Sequence, residues 1–403
     1  MSDAVADPRT AGARLAPKRR LRLSWSDPIF RSIVWQVIIV GLVVAVAWYL
    51  IGNTNRNLAA RHIATGFAFL DRVAGIPIGE SLLPYNPAVS TYGRALLIGI
   101  LNTLEVSAIG VVLATILGTL IGIGRLSANW LLARLTAFYV ETVRDIPLLL
   151  QLLFWYTILQ GLPGPRQALH LSHIAFLSNR GLKLPELIWH PAHTGAVIAF
   201  IVGAIGTRLW VLRARVRQDA TGARPATWPV ALALLVGLPL VVWAAMGAPF
   251  QWDLPAMRGF NFRGGGTVSP EFFALLLGLV VYTAAYIAEI VRSGIQAVPL
   301  GQWEAGTALG LGRGPILRRI VLPQALRVII PPMTSQYLNL TKNSSLAVAI
   351  GFQDVVSLAN TTLNQTGQAI EGIAYIMAVY LTISLSISLF MNWYNARIAL
   401  VER

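Results

Sequence analysis

Apolar residues along this chain come in long runs, separated by stretches that are polar or rich in glycine and proline. Eight runs are each long enough to cross about 30 Å of hydrocarbon as a helix. They fall at 33–51, 95–124, 133–159, 194–212, 229–247, 270–291, 330–352 and 373–394. The runs differ in what interrupts them. The second holds Gly118, Gly122 and Gly124, a spacing that lets another helix approach closely. The third carries Glu141, Arg144, Asp145 and Pro147. The fourth and fifth are almost purely Ala, Val, Leu, Ile and Gly and read as lipid-facing additions, joined by a basic connector from Arg208 to Arg224. The second, third, sixth, seventh and eighth carry the polar residues and read as the working core.

Composition turns this pattern into a class. Of 403 residues, 55% are hydrophobic and only 12% charged, and the mean hydropathy is +0.63. A soluble protein of this size needs a more charged surface. The expectation is an all-α membrane protein with about eight transmembrane helices, since runs of this length favour helices over a barrel. There is no cysteine, which excludes disulfides, a thiol nucleophile and any Cys-based metal site.

The net charge of +15 raises nucleic acid as a partner. No soluble domain exists to present a basic face, so arginine-rich loops held on the cytoplasmic side against anionic lipid are the better reading. Residues 1–28, with Lys18, Arg19, Arg20 and Arg22, read as a disordered cytosolic tail. Residues 29–52 read as an uncleaved anchor, because no small-residue cleavage site follows, and 53–94 as an external loop. With the N-terminus inside, cytoplasmic segments hold 21 Lys and Arg residues and external loops hold 9; Arg144 and Lys342 lie within runs and complete the 32. That bias puts both termini, and the segment 292–327, in the cytoplasm.

Segment 292–327 is the polar anomaly of the chain. It reads Glu304-Ala305-Gly306, then Gly310, then Ile320, Leu322 and Pro323, and it carries Arg313, Arg318 and Arg319. Such a stretch cannot sit in hydrocarbon. Ala305, Gly306 and Ala308 predict a small-residue helix face that a partner can approach. Gly310, Gly312 and Gly314-Pro315 predict a turn. Residues 316–321 predict a second short helix, ended by Pro323. A helix–turn–helix along the membrane surface suits a lever that passes motion into the spans.

This segment resembles the EAA loop of ABC importer permeases. Residues Tyr282 to Gly294 before it, Lys342-Asn343-Ser344-Ser345-Leu346 after it, and Asn102-Thr103-Leu104 resemble the polar-amino-acid permeases, as does Glu141-x-x-Arg144-x-x-Pro147-Leu148-Leu149. Asn53-Thr54, Gly66 to Leu70 and Ser90 to Arg94 resemble the longer permease subunits of general L-amino-acid importers. Gly306 departs from relatives that carry a second Ala, and Glu105 stands where an apolar residue is usual.

The resemblance implies a type I importer permease: a core of five helices at 95–160 and 268–400, an N-terminal helix, and an external loop with an inserted transmembrane hairpin at 161–267. It further implies a bacterial inner-membrane complex with two cytoplasmic ATPase subunits, a second permease that is a different chain, and a periplasmic amino-acid-binding protein. The sequence agrees with that division of labour. A phosphate-cradling loop needs a lysine after a glycine, and Lys18, Lys183 and Lys342 are the chain's lysines, none of them in that position. No cofactor is expected here; ATP and Mg would belong to the partner ATPase. Glu304, Ala305, Gly306, Gly310, Leu322 and Pro323 become the coupling residues.

Ionisable groups within membrane spans are costly and therefore candidates for function. A zwitterionic amino acid wants cations for its carboxylate and an anion for its ammonium. Arg144 and Lys342 can supply the first and Glu141 the second, with Asn343, Ser344 and Ser345 beside them. The competing reading is that Glu141 and Arg144, three apart, neutralise each other. Glu289, nearer the cytoplasmic end, reads as a gating or structural ion pair. His170, His173, His190 and His193 form two i, i+3 pairs, but no carboxylate cluster accompanies them, so no metal is expected.

Two other classes compete. A self-contained secondary amino-acid transporter or channel would need no docking loop and calls for inverted repeats or a carboxylate relay, which the sequence lacks. A membrane enzyme would need a nucleophile–base or metal constellation at one depth, and none is present.

Overall fold

The computed structural model describes Trp25 and residues 28–60, 65–223 and 225–398. The tail expected at 1–28 thus lies, except for Trp25 and Pro28, outside the described residues. The chain divides into two units, Met1–Gly66 and Phe67–Arg403. In the first, helix α1 (Pro28–Ala60) carries the apolar span Phe30–Thr54.

The second unit opens with α2 (Tyr92–Gly124), α3 (Trp130–Asp145) and α4 (Leu148–Gln160). Short strands β1 (Leu169–Ser172), β2 (Ala175–Ser178), β3 (Gly181–Leu184) and β4 (Glu186–Leu187) lead to α5 (Pro191–Thr221). Helices α6 (Trp228–Leu232) and α7 (Leu238–Ala245) flank a π turn and return antiparallel to α5. Then come β5 (Trp252–Asp253), β6 (Ala256–Arg258), β7 (Asn261–Arg263), β8 (Gly266–Val268) and α8 (Pro270–Gln296). The last stretch holds α9 (Leu300–Ala308), α10 (Arg313–Ile316), α11 (Leu322–Asn343), α12 (Val355–Thr366) and α13 (Ala369–Ile398). Six described helices are long and apolar enough to cross a membrane, and eight spans result when each of two bent pairs is counted as one.

The first bent pair corrects the straight span expected at 133–159. Helices α3 and α4 meet at 104°. Pro147 has no N–H to continue the helix and pushes the preceding residue out of helical geometry. Ile146 is accordingly extended, at φ −95° and ψ 125°. Buried Gln151 repairs the break, its Nε2 donating to the carbonyls of Val143 (2.9 Å) and Ile146 (3.0 Å).

The second correction concerns Pro323, which does not end a helix. Arg313–Ile350 is one continuous helical path: α10, a π turn over Leu317–Val321, α11 and a 3-10 segment Ser344–Ile350. Pro323 sits in the first turn of α11, where a missing N–H is tolerated. The path then bends 51° into α12, a helix within a stretch expected to be an external loop. Asp354 caps α12, accepting from Ser357 N at 2.8 Å.

The core lies among α2, α4, α8 and α11. Fully buried Val106, Leu152, Leu275, Leu279, Ile287 and Leu340 belong to one cluster. Its tightest seam joins α2 and α8. A Cβ on Gly118 would lie 2.7 Å from Ile287 Cβ, and one on Gly122 would lie 2.6 Å from the Ala288 carbonyl oxygen. Only glycine lets these backbones meet. A second cluster packs Phe69, Ala74 and Ile76 from the segment before α2 against Tyr92, Leu96, Leu358 and Ala359.

The inserted hairpin α5–α7 packs mainly on itself. The strands add a feature that an all-helical reading omits: β1-β2-β3-β8 form an antiparallel sheet, with Leu182 opposite Val268. This sheet ties the two ends of the insertion together just before α8, which Ser269 caps by accepting from Phe272 N at 3.0 Å.

Candidate coupling and translocation sites

Three places gather the residues singled out by sequence. The first is the α9–α10 turn. It needs Gly310, whose φ of +73° is left-handed, and Leu311 N closes it by donating to the Gly306 carbonyl at 3.1 Å. Gly306 corrects the expected docking face. It is buried, and a Cβ on it would lie 2.8 Å from Ile316 Cγ1. Ile316 itself is wholly buried. Gly306 is therefore the floor of an internal socket for Ile316 rather than part of an outer surface. The outer surface of α9 consists of exposed Glu304, Ala305, Thr307 and Ala308. Leu300 and Leu309, at 77% and 78% exposure, flank it. Leu322 and Pro323 are also exposed. Glu304 has no ion-pair partner among the described residues.

The second place lies where α2, α3 and α8 come together, and here sequence reasoning missed the central residue. Arg125, just past α2, pairs closely with Glu289 Oε2 and reaches Glu141 Oε1 at 3.9 Å. Arg292 also binds Glu289, its Nε donating to Oε2 at 3.1 Å. Glu289 is thus held between two guanidiniums. Glu141 and Arg144 do not pair with each other. Glu141 leans towards Arg125 with its side chain 70% exposed, and the Arg144 guanidinium lies 5.1 Å from the centre of the Tyr286 ring. Tyr286 shares a hydroxyl contact of 3.0 Å with Tyr282. The signal for Arg125 was present in sequence as the first charge after an apolar run, but its partner Glu289 is 164 positions away.

The third place is the end of the Arg313–Ile350 path. Lys342 is exposed and has no ion-pair partner among the described residues. Ser344 is wholly buried and donates to the Thr341 carbonyl at 2.7 Å, which turns it away from open space. Ser345 donates to the Lys342 carbonyl at 2.8 Å, and Asn343 is half-buried. Lys342 thus forms no ion pair with Glu141.

A fourth place, unassigned by sequence, lies at the other end of α2. Buried Asn102 donates to the carbonyls of Glu80 (3.1 Å) and Gln353 (2.9 Å). Glu80 accepts from Ser269 N. Burial pushes the Glu80 carboxyl above its ordinary range, against that bond, and the charges of Glu105 and Glu271 push it the same way. The histidines have local work: His190 and His193 cap α5 reciprocally, at 3.2 Å and 3.0 Å, and His170 packs edge-on against Phe176.

Known proteins share this sequence along most of its length. A putative amino-acid ABC transporter permease protein of Escherichia coli (strain K12), YhdX, is 54% identical over 94% of this chain and 97% of its own. The general L-amino acid transport system permease protein AapQ of Rhizobium johnstonii is 50% identical over 95% of this chain and 96% of its own. The glutamate/glutamine/aspartate/asparagine transport system permease protein BztB of Rhodobacter capsulatus is 42% identical over 96% and 98%. The pattern of the binding-protein-dependent transport system inner membrane component matches residues 110–400. With that match covering most of the chain, from α2 to the end of α13, the protein belongs to this family, the permeases of ABC importers that its EAA-like segment resembles.

Proposed function

We propose that this chain is the transmembrane permease subunit of an ATP-driven amino-acid importer in a bacterial inner membrane, with both termini in the cytoplasm. ATP, with Mg, is hydrolysed by a separate ATPase dimer that seats on the outer face of α9. A second, different permease chain completes the pathway, and a periplasmic binding protein delivers the cargo. The names of the long relatives support amino acids as cargo. The observation that carries the coupling role is the geometry of the lever. The exposed face of α9 rests through Gly306 on Ile316, and Ile316 lies in the first turn of the helical path Arg313–Ile350. A push on α9 is carried along this continuous helical path to Lys342 and its neighbours.

On this reading, Arg144 and Lys342 offer positive charge to the cargo's carboxylate, supported by the absence of any ion-pair partner for either among the described residues. Glu289 with Arg125 and Arg292 holds the ends of α2 and α8 together, as a gate or a brace. The test is to purify the chain with its ATPase, second permease and binding protein, then compare uptake into vesicles. Glu304→Lys is expected to abolish uptake while membrane insertion persists. Arg144→Ala and Lys342→Ala are each expected to lower substrate-stimulated ATPase activity without lowering the basal rate. Normal uptake by Glu304→Lys would remove the coupling assignment.

A further inference from the structure

The hairpin α5–α7 has no part in the lever or in the ion cluster, and its outer face is bare. Its glycines are spent on its own partner helix: a Cβ on Gly195 would lie 2.8 Å from Met246 Sδ. What remains uncovered at the C-terminal end of α5 has a definite order. At about 100° per residue, Leu209, Leu212 and Val216 form one strip, exposed to 53%, 48% and 70%. Arg208 and Arg215 border the strip on one side. Arg213 and Arg217 border it on the other. All four arginines are exposed. None has an ion-pair partner among the described residues, and Asp219, the acid nearest in sequence, pairs with none of them. Trp228, at 71% exposure, begins the returning helix, as aromatic residues do at a membrane boundary.

We infer that this end of α5 is a binding site for an anionic phospholipid, with the phosphate held between the two arginine pairs and an acyl chain lying along Leu209, Leu212 and Val216. The inference rests on the reading of α5 as a span whose C-terminal end is cytoplasmic. Two features favour lipid over an acidic protein surface. Large apolar side chains lie between the charges, where a polar docking face would expose few. The arginines also begin at Arg208, still within the apolar span, so the long stems must reach outward to the headgroup level. Guanidinium pairs match phosphate oxygens in a way that ammonium groups do not.

The experiment titrates the full chain in detergent with phosphatidylglycerol and with phosphatidylcholine, and counts bound lipids by native mass spectrometry. Wild type is expected to bind phosphatidylglycerol in preference. Substituting Arg213, Arg215 and Arg217 by Gln together should weaken that lipid at least about tenfold and leave phosphatidylcholine unchanged. Substituting the same three by Lys should keep part of the preference, and Arg258→Gln with Arg263→Gln, in the strands β6 and β7 that follow the hairpin, should keep all of it. Thermal unfolding of each variant identifies any that fail to fold. Equal phosphatidylglycerol binding by wild type and the folded Gln variant overturns the inference. So does a Gln variant that loses its partner subunits on purification while its lipid binding stays intact, since the face is then a protein contact. Either failure leaves the coupling role of α9 untouched, because that role is read from uptake by Glu304→Lys.

Discussion

Helices α8 and α5 carry similarly apolar stretches long enough to span a membrane, yet most of that stretch is buried inside the protein in α8 and little of it in α5. Hydropathy says that a helix can enter a membrane; it does not say what the helix faces there. In lipid, apolar burial gives no preference for protein over hydrocarbon tails, so close packing and polar contacts decide. Helix α8 has both. Ala284, Ile287 and Ala288 meet Gly118 and Gly122 of α2, and Glu289 takes two guanidiniums at the end of the same seam. Helix α5 turns its glycines instead to the hairpin's returning arm, Gly203 and Gly206 to Leu234 of the π turn and Gly195 to Val242 of α7.

The sharpest way to break this contrast is to overfill the seam. Gly122→Leu should cost about 3 kcal/mol, because the blocking atom is the Ala288 carbonyl oxygen, which cannot swing aside. Gly237→Ala in the hairpin, where a Cβ meets nothing within 4 Å, should be neutral or stabilising by up to about 1 kcal/mol. Thermal unfolding of both in one detergent checks the pair; equal losses would erase the distinction between the α2–α8 seam and the hairpin α5–α7.

Next in size is the ion cluster. Glu289→Gln leaves Arg125 and Arg292 close together with their shared anion gone, and should destabilise by about 2 kcal/mol. Adding Arg125→Gln should recover part of that loss, measured as a double-mutant cycle. Additive losses would mean that the pair contributes nothing as a pair.

The smallest effect is a pH dependence at Glu80. Its carboxyl is raised above 4.5 by burial, so the folded state favours the protonated form. The sign follows: this contribution is complete below the unfolded value and is lost as pH rises through the raised folded value. Wild type should therefore lose slightly more stability than Glu80→Gln as pH rises above 4.5. Parallel melting curves with pH would contradict it.

Much of the fold could be read from apolar runs, because a span of about 20 residues is set by bilayer thickness alone. The exceptions have local causes. The break at Ile146–Pro147 was written in Pro147 and its polar neighbours Arg144 and Asp145, but a run read by hydropathy averages across it. Helix α12 holds Ser, Thr, Asn and Gln and is too short to span, so only its packing through Leu358 and Ala359 defines it. The strands hold two to four residues each, below any periodicity signal.

The sites were less legible, since they depend on direction and on distant partners. On a helix of nine residues, nothing in the motif tells whether Gly306 points to a partner or to Ile316. Arg125 looked like one more charge on a cytoplasmic loop until α8 supplied Glu289. Glu141 and Arg144 share a helix and were natural partners by spacing, yet Arg125 and Tyr286 claim them separately.

The coupling role of α9 depends most directly on the Ile316 socket. The decisive measurement compares Ile316→Ala with wild type in the purified complex reconstituted into vesicles, following ATP hydrolysis and amino-acid uptake together. Emptying the socket should leave the ATPase bound and its basal hydrolysis within about twofold, while uptake per ATP falls at least about tenfold. Unchanged uptake per ATP, with the ATPase still bound, would contradict the lever.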